Sequence, residues 1–298
     1  MRTTLAALSL LTSLASANPA PLYPGLQLLW SDAFDGSPGQ SPNRANWNII
    51  TDVRTNNELQ TYTPASTNLQ LTGGSTIQLI PRRNPSTGAW TSARIESRHV
   101  FTPAPNRLTA VEAAIRLGSN PPHTRQGLWP AFWLLGDSIH HGTEWPICGE
   151  LDILENVSGA PVVHGTLHCG RTQGQGGPCN EPIGRGTATE LGGFEGWHTW
   201  RLEIDRRDHG GGRGWRGETV RWLKDGREWF VVRGEEIGDE GVWAALTHSP
   251  LFIILNVAVG GDWPGYPNDA TLDGYGSMME VDYVAVYQGD LERLKAPE

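Results

Sequence analysis

Long hydrophobic runs are scarce in this 298-residue chain. The clearest, from Leu5 to Leu14, is shorter than the ~20 apolar residues that span a bilayer, so no membrane partner is expected. Segments with a 3.6-residue apolar period over ten or more positions are missing, which argues against a helix-built fold. Positive charge is in deficit: 23 Lys and Arg stand against 32 Asp and Glu, a formal net charge of −9. That sign excludes nucleic acid as a partner and suits a neutral substrate. Cysteine is rare, with three copies, which leaves one unpaired in an oxidising compartment. No fixed-period repeat and no low-complexity linker divides the chain.

Turn formers and tryptophan are abundant instead. The 37 Gly and 21 Pro far exceed their average share of roughly 12 % and mark many turns. Between the turns, runs alternate apolar and polar with period two over 198–204, 219–223 and 228–232. Lys224-Asp225-Gly226-Arg227 joins the last two, and Asp-Gly in that setting predicts a hairpin. Further strands are expected over 76–80, 108–115, 250–259 and 279–287. The pattern predicts an all-β sandwich or barrel, with one domain core from about 22 to 288 and a short charged tail. Thirteen Trp outnumber the six Phe and six Tyr, but most large aromatics are core residues.

The chain begins with Arg2, the apolar run and the small residues Ala15-Ser16-Ala17. That is the layout of a secretory signal peptide over 1–17, so a secreted, extracellular protein is expected, with 18–298 as one domain acting as a monomer. Cys169 and Cys179 flank the polar loop CGRTQGQGGPC, and closure of such a loop makes them the preferred disulfide. Cys148 is expected to be a buried free thiol, since no local His activates it. The sequon Asn156-Val157-Ser158 abuts a strand whose apolar residues predict burial, and it is expected to stay unmodified.

Chemistry concentrates in GELDILENV, residues 149–157, where Glu150, Asp152 and Glu155 sit among apolar neighbours. On a regular strand, Glu150 and Asp152 share a face ~6.6 Å apart, while Glu155 points the other way ~16 Å along. One β-bulge between Asp152 and Glu155 restores its face and shortens the span to ~13 Å. Two Glu side chains leaning together then approach the roughly 5–5.5 Å carboxyl separation of retaining glycoside hydrolysis. Asp152 between them would spread the three pKa values. An exposed acidic edge strand and a Ca²⁺ site are the competing readings, although apolar neighbours offer few extra oxygens to a cation.

Residues 149–155 also resemble the E-x-D-x-x-E signature of glycoside hydrolase family 16, in its laminarinase-like, endo-1,3(4)-β-glucanase branch. Asn56–Tyr62, Thr91–Ser97, Gly127–Leu135, Gly260–Gly265 and Ser277–Val284 resemble further blocks of that family in the same order. The resemblance implies a β-jelly-roll sandwich of two curved antiparallel sheets with a concave substrate cleft. It implies Glu150 as nucleophile, Glu155 as general acid/base and Asp152 as a hydrogen-bonding assistant; spacing alone does not order the two Glu. Trp129, Trp133 and Trp263 become candidates for stacking on sugar rings, and His168, Asn57 and Arg94 for polar contacts. Structural roles remain equally open for the last three. The implied substrate is a β-1,3- or mixed β-1,3/1,4-glucan. Another polymer such as a β-galactan, transglycosylation, and a non-catalytic β-glucan-binding protein are the alternatives. No cofactor or catalytic metal is implied. Some members of that family hold a structural Ca²⁺ on backbone oxygens and the acid matching Asp282; here Ser31-Asp32-Ala33-Phe34 departs from the family pattern at Ala33 but leaves the backbone carbonyls available.

Overall fold

The computed structural model describes residues 19–170, 176–207 and 211–290. The leader expected at 1–17, residues 171–175 of the cysteine loop, residues 208–210 of a Gly-rich turn and the tail from 291 lie outside the described residues.

The period-two runs form two large antiparallel sheets. One sheet runs, in spatial order, through Arg185–Glu190, Val162–His168, Glu150–Glu155, Leu128–Gly136, Leu251–Val259, Arg94–Ser97 and Trp47–Ile49. The other runs through Arg227–Arg233, Thr219–Lys224, His198–Asp205, Leu108–Leu117, Met279–Gly289, Ile77–Leu79 and Leu69–Leu71, and Leu26–Asp32 pairs beside Met279–Gly289. Alternate residues of both sheets meet in a single apolar layer: Phe132, Leu134, Leu151, Ile253 and Leu255 from the first, Val111, Ile115, Leu202, Ile204 and Val284 from the second. Trp200 and Trp222 belong to this layer, as the alternation predicts. The sandwich is thus built by side chains leaving water on one face of each sheet.

The Asp225-Gly226 hairpin is present, with both residues at positive φ (50° and 74°), the requirement of the tight turn that matches strand twist. Cys169 and Cys179 form the expected disulfide, with Cα atoms 5.4 Å apart, and Cys148 is free and buried. Two helices, Gly234–Ile237 and Glu240–Thr247, are not announced by the sequence pattern. Eight residues are too few to show a helical period. The second helix starts where the Asp239 side chain accepts from the Val242 N–H at 3.1 Å, an N-cap, and it buries Val242, Trp243 and Leu246 at one end of the core. A small third sheet of Thr61–Tyr62, Trp90–Ser92 and Arg82–Arg83 also escapes pattern reading, since its strands are two or three residues long.

Candidate active site

The acidic strand Glu150–Glu155 carries the bulge that its spacing predicts. Along its neighbour Val162–His168, Glu150, Asp152 and Glu155 oppose His168, Thr166 and His164, so three steps on one strand match two on the other. Opposite Leu128–Gly136, Leu154 pairs with Phe132 and Asp152 with Trp133, which leaves Ile153 as the extra residue. Ile153 and Leu154 are consecutive, yet both pack into the core. Burying two apolar neighbours on the same side forces the backbone kink, and the kink returns Glu155 to the outer face.

The bulge is supported from beneath. Trp222, on the opposite sheet, donates its indole N–H to the backbone carbonyl of Asp152 at 2.6 Å. Gly165 on the adjacent strand makes room for it, because a Cβ there would lie 2.6 Å from the rings of Trp222 and Trp229.

On the outer face Asp152 and Glu155 are buried and Glu150 is partly so. Trp145 donates to Glu150 at 3.2 Å, and Trp129 donates to Glu155 at 2.9 Å. His168 directs Nε2 at Asp152 (3.6 Å) and Glu150 (3.9 Å). Its Nδ1 lies 2.8 Å from Glu181. Oδ2 of Asp152 is buried and makes no hydrogen bond.

Burial is the largest influence on every one of these acids. It pushes Glu155 up to about 7, with the Glu150 charge adding to the rise and His168 and the Trp129 hydrogen bond opposing it. Burial lifts Asp152 well above the ordinary range, reinforced by Glu155 and Glu150. Glu150 also rises through burial, restrained by the His168 charge and the Trp145 hydrogen bond. For His168, burial disfavours the imidazolium, but the Glu181 hydrogen bond and the surrounding carboxylates outweigh it and raise its pKa. Closely placed acids that cannot all ionise can divide acid and base duties.

The other sequence candidates fall into two groups. Trp129 and Trp263 meet edge to face, ring centres 5.5 Å apart, and Trp263 is about half exposed (47 %). Trp133 presents part of its ring beside the acids but donates its N–H to Asn256 at 2.7 Å. Arg94 and Asn57 are engaged internally. The Arg94 guanidinium pairs with Glu96 at 2.7 Å and lies 5.0 Å over the Trp133 ring; the Asn57 amide donates to both carboxyl oxygens of Asp262. Sequence reading missed Trp145, Glu181, Asn256 and His164, the last of which packs 5.0 Å from Trp263. Register could have found His164, two residues before Thr166, but Trp145 and Glu181 arrive on loops with no periodic signal.

Two places bring acidic groups together. Ligand atoms of Glu150, Asp152 and His168 lie within 4.8 Å of one another. Asp282 belongs to no comparable group of side-chain ligands among the described residues, and its groove also holds Arg116.

Comparison with known proteins follows the same lines. The profile described as "XgeA-like, catalytic GH16 domain" matches residues 66–184. A beta-glucanase of Rhodothermus marinus is 31 % identical over 301 aligned residues, covering 97 % of this chain and 95 % of that protein. The crystal structure of an endo-1,3-beta-glucanase from Streptomyces sioyaensis is 35 % identical and superposes with a TM-score of 0.83, over 92 % of this chain and all of that one. An endo-beta-1,3-glucanase from Pyrococcus furiosus is 30 % identical, with a TM-score of 0.68 over 90 % of this chain and 96 % of the other.

Proposed function

Because this chain belongs to glycoside hydrolase family 16, a family of jelly-roll enzymes, we propose that it is an endo-acting β-1,3-glucanase working with retention of configuration. The substrate class rests on the relatives, which are named for β-glucan or β-1,3-glucan cleavage. The mechanism rests on one observation: the bulge at Ile153 sets Glu150 and Glu155 on the same outer face, on either side of a buried Asp152.

In the first step a carboxylate oxygen of Glu150 attacks the anomeric carbon while the glycosidic C–O bond breaks. The Glu155 proton passes to the departing oxygen, so the leaving sugar departs neutral. In the second step Glu155, now ionised, takes a proton from water as its oxygen attacks the same carbon and frees Glu150. Asp152 holds a proton between the two acids and hydrogen-bonds the nucleophile when Glu150 is ionised. Trp129, Trp133 and Trp263 offer ring faces to apolar sugar surfaces.

The leader-like residues 1–17 support secretion, and residues 18–298 are read as one catalytic domain. No cofactor takes part. Glu150→Gln tests the reading on laminarin: a loss of more than a thousandfold is expected, and activity within tenfold of wild type would contradict it. Reducing-sugar release from laminarin, lichenan, barley glucan and galactan tests the polymer, with laminarin expected to be cleaved fastest.

A further inference from the structure

Glu181 takes no part in the steps above, yet its side chain is completely buried beside them. One carboxyl oxygen accepts the Cys169 N–H at 2.8 Å, and the other lies 2.8 Å from His168 Nδ1. The disulfide explains how a loop residue can be held so firmly. Cys169 directly follows His168, and Cys179 stands two residues before Glu181, so the bridge ties together the two chain segments that carry the histidine and the carboxylate. Two backbone hydrogen bonds with Gly176 tie Glu181 from the other side.

The position matters because the two nitrogens of an imidazole are not independent. Whichever partner Nδ1 has decides what Nε2 can present. With an acceptor-only carboxylate at Nδ1, the ring donates there, and a second proton makes Nε2 a charged donor. Nε2 faces the acids of the reaction, 3.6 Å from Asp152 and 3.9 Å from Glu150.

We propose that Glu181 is a positioning residue of this enzyme: clamped by the Cys169–Cys179 bridge, it holds His168 so that Nε2–H points between Glu150 and Asp152. Among the described residues, the charged groups around His168 are Glu150, Asp152 and Glu155 on the acidic strand and Glu181 on the loop; the Trp145 ring covers one side at 5.4 Å. A positive ring in that ring of acids favours the ionised, attacking form of Glu150. Glu181 therefore acts on the nucleophile through the histidine without touching the sugar.

The inference rests on the proposed reaction only for its consequence, and the test separates the two. NMR titration of the His168 ring in wild type and Glu181→Gln reads the clamp directly, whatever polymer is cleaved. A fall of at least one pKa unit is expected in E181Q; an unchanged titration overturns the proposal. On laminarin, E181Q is expected to lose about tenfold in kcat near the acidic limb, the effect of a one-unit change in ionisation, with KM within twofold and the limb moved to higher pH. In a His168→Gln background the same substitution is expected to change kcat less than twofold, since its route to Glu150 is gone. Losses that multiply in the double variant overturn the proposal. Should E181Q fail to fold, Glu181→Asp, which keeps the charge but draws it back from Nδ1, is titrated instead: a smaller fall in the His168 pKa is expected, and an unchanged titration overturns the proposal.

Discussion

Trp222 crosses the core of the sandwich and donates its indole N–H to the backbone carbonyl of Asp152, 2.6 Å away. A bulge interrupts the ladder of hydrogen bonds along its strand, and a carbonyl freed inside a core is costly unless something else pairs with it. The second sheet supplies that partner. Bulge, carbonyl and indole thus form one unit, and the face on which Glu155 emerges depends on it.

Trp222→Phe keeps the ring but removes the donor. A buried carbonyl left unpaired costs about 1–3 kcal/mol, so a lower melting temperature is expected together with a loss of activity at temperatures where the variant is still folded. Trp200→Phe is the control. That ring is equally buried and lies on the same sheet as Trp222, opposite Lys224 rather than in the hydrogen bond to Asp152, and its replacement should lower stability without changing activity or its pH profile.

Activity should form a bell against pH. Glu155 is an acid only while protonated, and with its pKa near 7 activity is lost as the pH rises through about 7. Glu150 must be ionised, and its raised pKa puts the acidic limb above the ordinary carboxylate range. Trp129→Phe removes a hydrogen bond that favours charged Glu155. The Glu155 pKa then rises, and the alkaline limb of kcat/KM should move to higher pH; movement to lower pH would contradict the assignment.

Ile153→Ala separates fold from chemistry at the bulge itself. The side chain is buried in the core and faces away from the acids. Truncation should cost about 2–5 kcal/mol of stability, measured by denaturant unfolding, while the pH profile at low temperature keeps its wild-type limbs.

Asn156 should carry no glycan even when the chain passes through a glycosylating host. The residue is 1 % exposed, and its amide donates to the carbonyls of Ala160 and Val162 at 2.7 and 2.8 Å. Peptide mass spectrometry over 150–160 checks this, and a sugar increment on Asn156 would contradict it.

Much of this was legible in the sequence because it is written in periodicity. Strands such as Leu251–Val259 and Met279–Gly289 follow from alternation, and the bulge follows from the phase of Glu155 against Glu150. Trp200 and Trp222 could be assigned to the core by the same alternation, but not the Trp222 bond to Asp152, which joins residues 70 apart in sequence. Arg94 and Asn57 show the limit of composition: each resembles a sugar-binding group, and each is tied to an acid, Glu96 and Asp262. Glu181 and Trp145 were silent because loops carry no period. Only closure of the Cys169–Cys179 ring and the path of the chain bring them to His168 and Glu150.

The central claim is that Glu150 forms a covalent bond to the sugar while Glu155 handles the proton. The direct measurement is to trap the enzyme with a slow fluorinated laminaribioside bearing a good leaving group and to locate the added mass by peptide sequencing. A single label on Glu150 is expected. A label on Glu155, or first-formed product of inverted configuration with no label at all, would contradict it.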